Sequence, residues 1–138
     1  LSGEAGLLFV SSDGGTLWQR VEDLYNGSLF GVVTSGDRVV AFGLRGHIFR
    51  SEDQGQNWQE IASDNSFSLY GGGLLANGSI ALVGAGGTVL VSDNDGASFS
   101  MATLPDRTTL SSIAVINNKF LAVGMSGVQL VKQSETAQ

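Results

Sequence analysis

Cysteine is absent from the 138 residues. That removes disulfides, thiolate metal sites and cysteine nucleophiles together, and it leaves the redox compartment open because neither environment is contradicted. Histidine occurs once, at position 47, so an imidazole metal site lacks the partners it needs. Proline occurs once, and charged residues make up only 14% of the chain. Basic residues are few: seven Lys and Arg face thirteen Asp and Glu, a formal charge of -6, and such a field repels phosphate backbones and anionic lipid heads. Nucleic acid is thereby set aside as a partner. No apolar run approaches the roughly 20 residues that carry a helix across a bilayer. Glycine is what abounds, at 20 residues; in helix interiors each would cost about 1 kcal/mol relative to alanine. With 42% hydrophobic residues, the composition is that of one globular domain of strands and turns.

The chain repeats itself at about 40 residues, the mark of stacked units of one supersecondary type. A G-x-x-G turn recurs at Gly3-Glu4-Ala5-Gly6, Gly43-Leu44-Arg45-Gly46, Gly84-Ala85-Gly86-Gly87 and Gly124-Met125-Ser126-Gly127, at spacings of 40, 41 and 40. Downstream of each of the first three turns stands S-x-D-x-G-x-x-W: Ser11, Asp13, Gly15 and Trp18; Ser51, Asp53, Gly55 and Trp58; then the softened copy Ser92, Asn94, Gly96 and Phe99. An apolar opening follows, Ser28-Leu29-Phe30-Gly31 and Ser68-Leu69-Tyr70-Gly71, with Thr109-Leu110-Ser111-Ser112 as its weaker equivalent.

Short apolar runs bounded by Gly, Asn, Asp and Ser predict four strands in each unit. In the second unit they fall at about 29 to 34, 38 to 43, 46 to 51 and 57 to 62. Val39-Val40-Ala41-Phe42, Ile80-Ala81-Leu82-Val83 and Phe120-Leu121-Ala122-Val123 are apolar at every position, so each small sheet requires cover on both sides. Neighbouring sheets stacked face to face supply it, and four-stranded antiparallel units at this period describe an all-β fold, the β-propeller, with about 3.3 blades in this chain.

The S-x-D-x-G-x-x-W pattern resembles the Asp-box, or bacterial neuraminidase repeat, which in that family lies between the third and fourth strands of a blade, where it falls here. Its carboxylate accepts from backbone N–H groups of the turn, and its aromatic covers the hairpin. On that reading Trp58→Ala costs about 3 to 5 kcal/mol, as large-to-small core changes do. Turn, strand and Asp-box together are similar to the photosystem II assembly and stability factor family and its relatives in non-photosynthetic bacteria. The resemblance implies a non-catalytic propeller that binds a protein, associated with an envelope complex or transporter, in the periplasm or thylakoid lumen. The rival reading is a carbohydrate-active propeller, a sialidase-like glycosidase or a lectin, with its active residues in blades outside this chain.

The predicted organisation is two strands of one blade at 1–22, full blades at about 28–62 and 68–103, three strands of a further blade at 109–132, and a polar tail at 133–138. Propellers close with about four to eight blades. Thirteen strands form only an arc with exposed ends, so the expectation is the C-terminal part of a longer ring, with self-association of further copies as the alternative. Lys132 stands where the serine of a fourth S-x-D-x-G-x-x-W motif would be.

Asp13 and Asp53 read as turn formers rather than catalytic acids, and no catalytic residue, metal or cofactor is assigned. Asp93-Asn94-Asp95-Gly96 resembles the start of a calcium loop, but with Gly96 at loop position 6 the first and twelfth positions fall on Val91 and Ala102, where oxygen ligands are required. Asn26-Gly27-Ser28 and Asn77-Gly78-Ser79 match a glycosylation sequon and read as turns. Tyr25, Tyr70 and His47 read as packing between blades. Function is expected at the end opposite the Asp-boxes, where the units vary most: Arg45, Gly86 and Ser126 in the turns, and Tyr25, Ser66 and Arg107 in the connections between units.

Overall fold

The computed structural model describes residues 1–117 and 119–131. Lys132 and the predicted polar tail at 133–138 lie outside the described residues. Thirteen strands among the described residues form four antiparallel sheets. The first pairs β1 (Phe9–Val10) with β2 (Gln19–Arg20), and Ser2 bridges to Leu8 beside them. The second runs β3 (Leu29–Ser35), β4 (Arg38–Gly43), β5 (Ile48–Ser51) and β6 (Gln59–Glu60) in chain order. The third repeats it with β7 (Leu69–Leu74), β8 (Ile80–Gly84), β9 (Thr88–Ser92) and β10 (Ser100–Thr103), and the fourth holds β11 (Leu110–Ile116), β12 (Lys119–Gly124) and β13 (Gly127–Val131). The second and third are four-stranded antiparallel blades of a β-propeller, as the repeat predicts, and the first and fourth are two and three strands of such blades. β5 starts two residues late because Leu44–Gly46 is a 3-10 turn, and β6 is short because the turn before it keeps its own hydrogen bonds through Trp58.

Side chains alternate across each strand, and the alternation builds one core between each pair of sheets. Leu8 meets Leu29, Ala41 and Phe49. The opposite face of the second sheet, with Val40, Phe42 and Ile48, meets Ile80, Leu82 and Leu90 of the third. Ala81, Val83 and Val89 then meet Phe120, Ala122 and Val131 of the fourth. Full burial of such a side chain is worth about 1.5 to 3 kcal/mol.

The outer face of the fourth sheet is an exposed end of the arc, as thirteen strands require. Phe120 and Ala122 are buried, but Val123 is 39% exposed, and Val128 and Leu130 beside it are 67% and 54% exposed. The register explains the outward pair. Val83 pairs with Val89 in the third sheet, whereas Val123 pairs with Val128 in the fourth. The first three G-x-x-G turns place their last two residues in the left-handed region: Ala5 and Gly6, Arg45 and Gly46, Gly86 and Gly87. In the fourth, Gly124 pairs directly with Gly127 and leaves a two-residue loop. The one-residue slip turns Val128 and Leu130 outward and brings Gln129 onto Asp106, 2.8 Å away.

The tryptophans also differ from expectation. Trp18 is 50% exposed, and Trp58 is only half-buried against the core between the first two sheets. Trp58 and Trp18 both line an open cleft with Val10 and Val32. Each ring covers its own turn but is not enclosed, so losing either costs less than the core value anticipated.

The first strands of successive sheets lie side by side. A Cβ added at Gly71 in β7 would come within 2.7 Å of the Ser111 carbonyl and of Ser112 Cα in β11. Each of these inner strands carries a β-bulge at the equivalent place, so that Phe30, Tyr70 and Ser111 fall out of the pairing.

Candidate functional site

The two ends of the blades hold different chemistry. At one end stand the serine–aspartate turns. Ser51 Oγ donates to Asp53 Oδ1 at 2.8 Å and accepts from the Gly55 N–H, while Asp53 Oδ1 accepts from the Asn57 N–H. Trp58 Nε1 donates to the Gly55 carbonyl. Ser11, Asp13, Gly15 and Trp18 repeat this pattern. Ser92, Asn94 and Gly96 keep it with an amide in place of the carboxylate, and Phe99 packs without the indole bond. In the same turn Asp95 offers its carbonyl to Arg50 and its carboxylate to Arg38.

Donors hold the Asp53 carboxylate in its ionised form, lowering its pKa from 3.8 to about 2, with the Asn57 side chain first, then the Asn57 N–H and Ser51. Asp13 is lowered too, chiefly by the Leu17 N–H and then Ser11. A carboxylate with a depressed folded-state pKa stabilises the fold above its unfolded value, about 3.9, and the contribution is lost as pH falls through the folded value. Asp53→Asn, which copies Asn94, is therefore expected to flatten the loss of stability between about pH 4 and pH 2. Urea midpoints across that range check it; parallel acid profiles for the two proteins would reject it.

At the other end, each turn of the second and third units lies under the connection that leads into the following sheet. Arg45 is exposed with φ 56, and its N–H donates to Ser68 Oγ at 3.1 Å. Asn65, buried over Gly46, clasps Phe67 through two hydrogen bonds and holds it outward at 52% exposure. The Phe67 ring lies 3.3 Å from where a Gly86 Cβ would stand. Ser66 and Arg107 are exposed on this face, and Ser126 Oγ meets Thr108 Oγ1 at 3.2 Å.

Tyr25 is placed differently from the other predicted contact residues. Its ring is half-buried against His47 and Phe49, with centroids 4.5 and 5.4 Å away, and its hydroxyl donates to the Leu44 carbonyl. It joins His47, whose Nδ1 lies 2.6 Å from Glu60, in the seam between blades. Tyr70, read from sequence as packing, is instead 39% exposed: its bulge turns it out beside Phe30, 43% exposed, with ring centroids 5.4 Å apart. The repeated opening Ser-Leu-Phe-Gly and Ser-Leu-Tyr-Gly was the available signal for this pair.

Pairing separates the five arginines. Arg20, Arg38 and Arg50 each meet a carboxylate, Glu22, Asp95 and Glu52 respectively. No such pair involves Arg45 or Arg107 among the described residues. Glu4, Asp23, Asp64 and Asp106 lie in the turns and connections of the same end, and Asp106 accepts from Gln129 and the Thr108 N–H. The face thus offers two guanidiniums and three exposed aromatic rings.

No protein-family model matches the chain. Over 69 residues it is 33% identical to the vacuolar protein sorting/targeting protein 10 of Pyricularia oryzae, a match covering 47% of this chain and 5% of that protein. Among solved structures it is similar to YCF48 bound to D1 peptide, with a TM-score of 0.76 and 19% identity over 99% of this chain and 48% of that one. The WD40 β-propeller domain of Doa1 follows, with a TM-score of 0.66 and 17% identity over 86% of this chain and 42% of that one. A streptogramin B lyase matches with a TM-score of 0.65 and 14% identity over 91% of this chain and 47% of that one. At these identities the likeness is one of fold, and this chain spans about half the length of the solved chains it matches.

Proposed function

We propose that the chain is part of a non-catalytic Asp-box propeller that binds another protein as an assembly or accessory factor, in the manner of the photosystem II assembly factors. One observation carries this reading: Arg45 and Arg107 stand exposed without an ion pair among the described residues, whereas the other three arginines are paired. In a chain of net charge -6, two such guanidiniums on one face favour carboxylates of a partner, which each can bind bidentately. The Asp-box turns support the reading from the other end, because their polar side chains are engaged with their own backbone. The similar structure of YCF48 carries a bound D1 peptide, which makes peptide recognition the first role to test here. The proposed setting is an extracytoplasmic envelope complex, with the ring completed by further blades of the same kind.

The test is a pull-down from an envelope fraction with the intact protein, comparing Arg45→Ala/Arg107→Ala with the control Arg20→Ala. The expected result is loss of the specific partner from the double variant and its retention by the control, with folding unchanged in both. Equal retention would move the binding face elsewhere.

A further inference from the structure

We propose that Phe30 and Tyr70 form a socket for one large apolar side chain, aromatic or leucine-like, of a partner peptide whose neighbouring carboxylates reach Arg45 and Arg107. The proposal rests on the protein-binding reading above and specifies its chemistry. The two rings belong to equivalent bulges of neighbouring inner strands, so the backbone itself aims them at one place. Bulges are devices that re-aim a side chain beside a site. The residue after each ring is a glycine in tight packing: a Cβ at Gly31 would lie 2.6 Å from the Phe42 ring, and one at Gly71 would meet the Ser111 backbone at 2.7 Å. The rings themselves are 43% and 39% exposed.

The scaffold does not require an aromatic at this position, because the third bulge carries Ser111. Two rings at 5.4 Å, tilted by 44°, present converging apolar surface, and Phe67 stands exposed at the same end. An apolar side chain fits this composition better than a sugar, whose hydroxyls need several placed polar partners. The two guanidiniums without an ion pair among the described residues, Arg45 in the turn after β4 and Arg107 in the connection before β11, lie at this end among Glu4, Asp23 and Asp64 and are the groups that would take the carboxylates of the ligand.

The experiment selects random 12-residue peptides on the intact immobilised protein, then measures the enriched peptides by fluorescence anisotropy. Variants are Phe30→Ser/Tyr70→Ser, which copies the third bulge, and Arg45→Ala/Arg107→Ala, each with a thermal unfolding curve. The expected result is that enriched peptides share an aromatic or leucine close to Asp or Glu. The serine variant should then bind them at least about tenfold more weakly, equivalent to 1.4 kcal/mol, while unfolding at the wild-type temperature. Peptides that bind the wild type and the folded serine variant alike would overturn the socket and leave the protein-binding reading standing. Failure to enrich any peptide would overturn both. An oligosaccharide array probed in parallel, if bound by the wild type and not by the serine variant, would overturn the peptide assignment in favour of a carbohydrate.

Discussion

Gly46→Ala is expected to destabilise the fold by about 3 kcal/mol, the sum of two separable effects. Gly46 has φ 78, and an added Cβ would stand 2.4 Å from the Asn65 carbonyl oxygen and 2.7 Å from Asn65 Nδ2. The left-handed conformation costs a residue with a Cβ about 1 to 2 kcal/mol, and overpacking adds about 1 to 3. Gly36→Ala is the control: its φ is 60, but an added Cβ would meet nothing within 4 Å, so only the backbone cost of about 1 kcal/mol remains. The difference between their urea midpoints isolates the pressure of the overlying connection, and equal losses would refute the close approach. Because Asn65 also clasps Phe67, Gly46→Ala displaces part of the proposed binding face as well.

Arg50→Ala is expected to cost about 2 to 3 kcal/mol. The side chain is nearly buried; its Nε donates to the Asp95 carbonyl in the next sheet at 2.7 Å, and its Nη1 donates to Glu52. Glu52 is 68% exposed, so it stays hydrated when the arginine goes, and a buried charge is not left behind. The loss comes from the carbonyl deprived of its donor, worth about 1 to 3 kcal/mol, together with the packing of the stem near Gly96. Arg50→Met, which keeps most of the stem, should recover roughly half of it. Arg38, whose side chain is about half exposed in its pair with Asp95, should contribute no more than about 1 kcal/mol. A change for Arg50→Ala no larger than that of Arg38→Ala would show that the bond across the blades does not hold them.

The repeat, the strand order and the hydrogen-bonded turns were legible because they are local: each S-x-D-x-G-x-x-W copy contains its own donors and acceptors, and each strand its own alternation. What escaped depends on neighbours or on parity. A bulge shifts alternation by one, so Leu29 and Phe30, or Leu69 and Tyr70, read as one apolar run although the first is buried and the second exposed. Trp18 and Trp58 occupy identical motif positions, but only Trp58 has a preceding pair of strands beside it. The partner of Arg50 lies 45 residues away. The slip in β13 follows from the hydrogen bonding of a single turn, which apolar patterning does not encode. Of the predicted contact residues, Arg45, Ser66, Gly86, Arg107 and Ser126 fall on one end of the sheets, while Tyr25 lies in a seam.

Among the described residues the apolar cores lie between sheets that follow one another in the chain, which gives the arc the character of a linear array in which cooperativity passes from neighbour to neighbour. Ile80, Ala81, Leu82 and Val83 are at most 1% exposed because β8 has a sheet on both sides. Among the described residues the first and fourth sheets have a neighbouring sheet on one side only. In these 138 residues taken alone, protection of backbone amides against hydrogen exchange should therefore rise from both ends toward β8. Opening of the first or fourth sheet then loosens one border of the central pair without dissolving it, so that, of the four sheets described, the two that carry Phe30, Tyr70 and Arg45 open last.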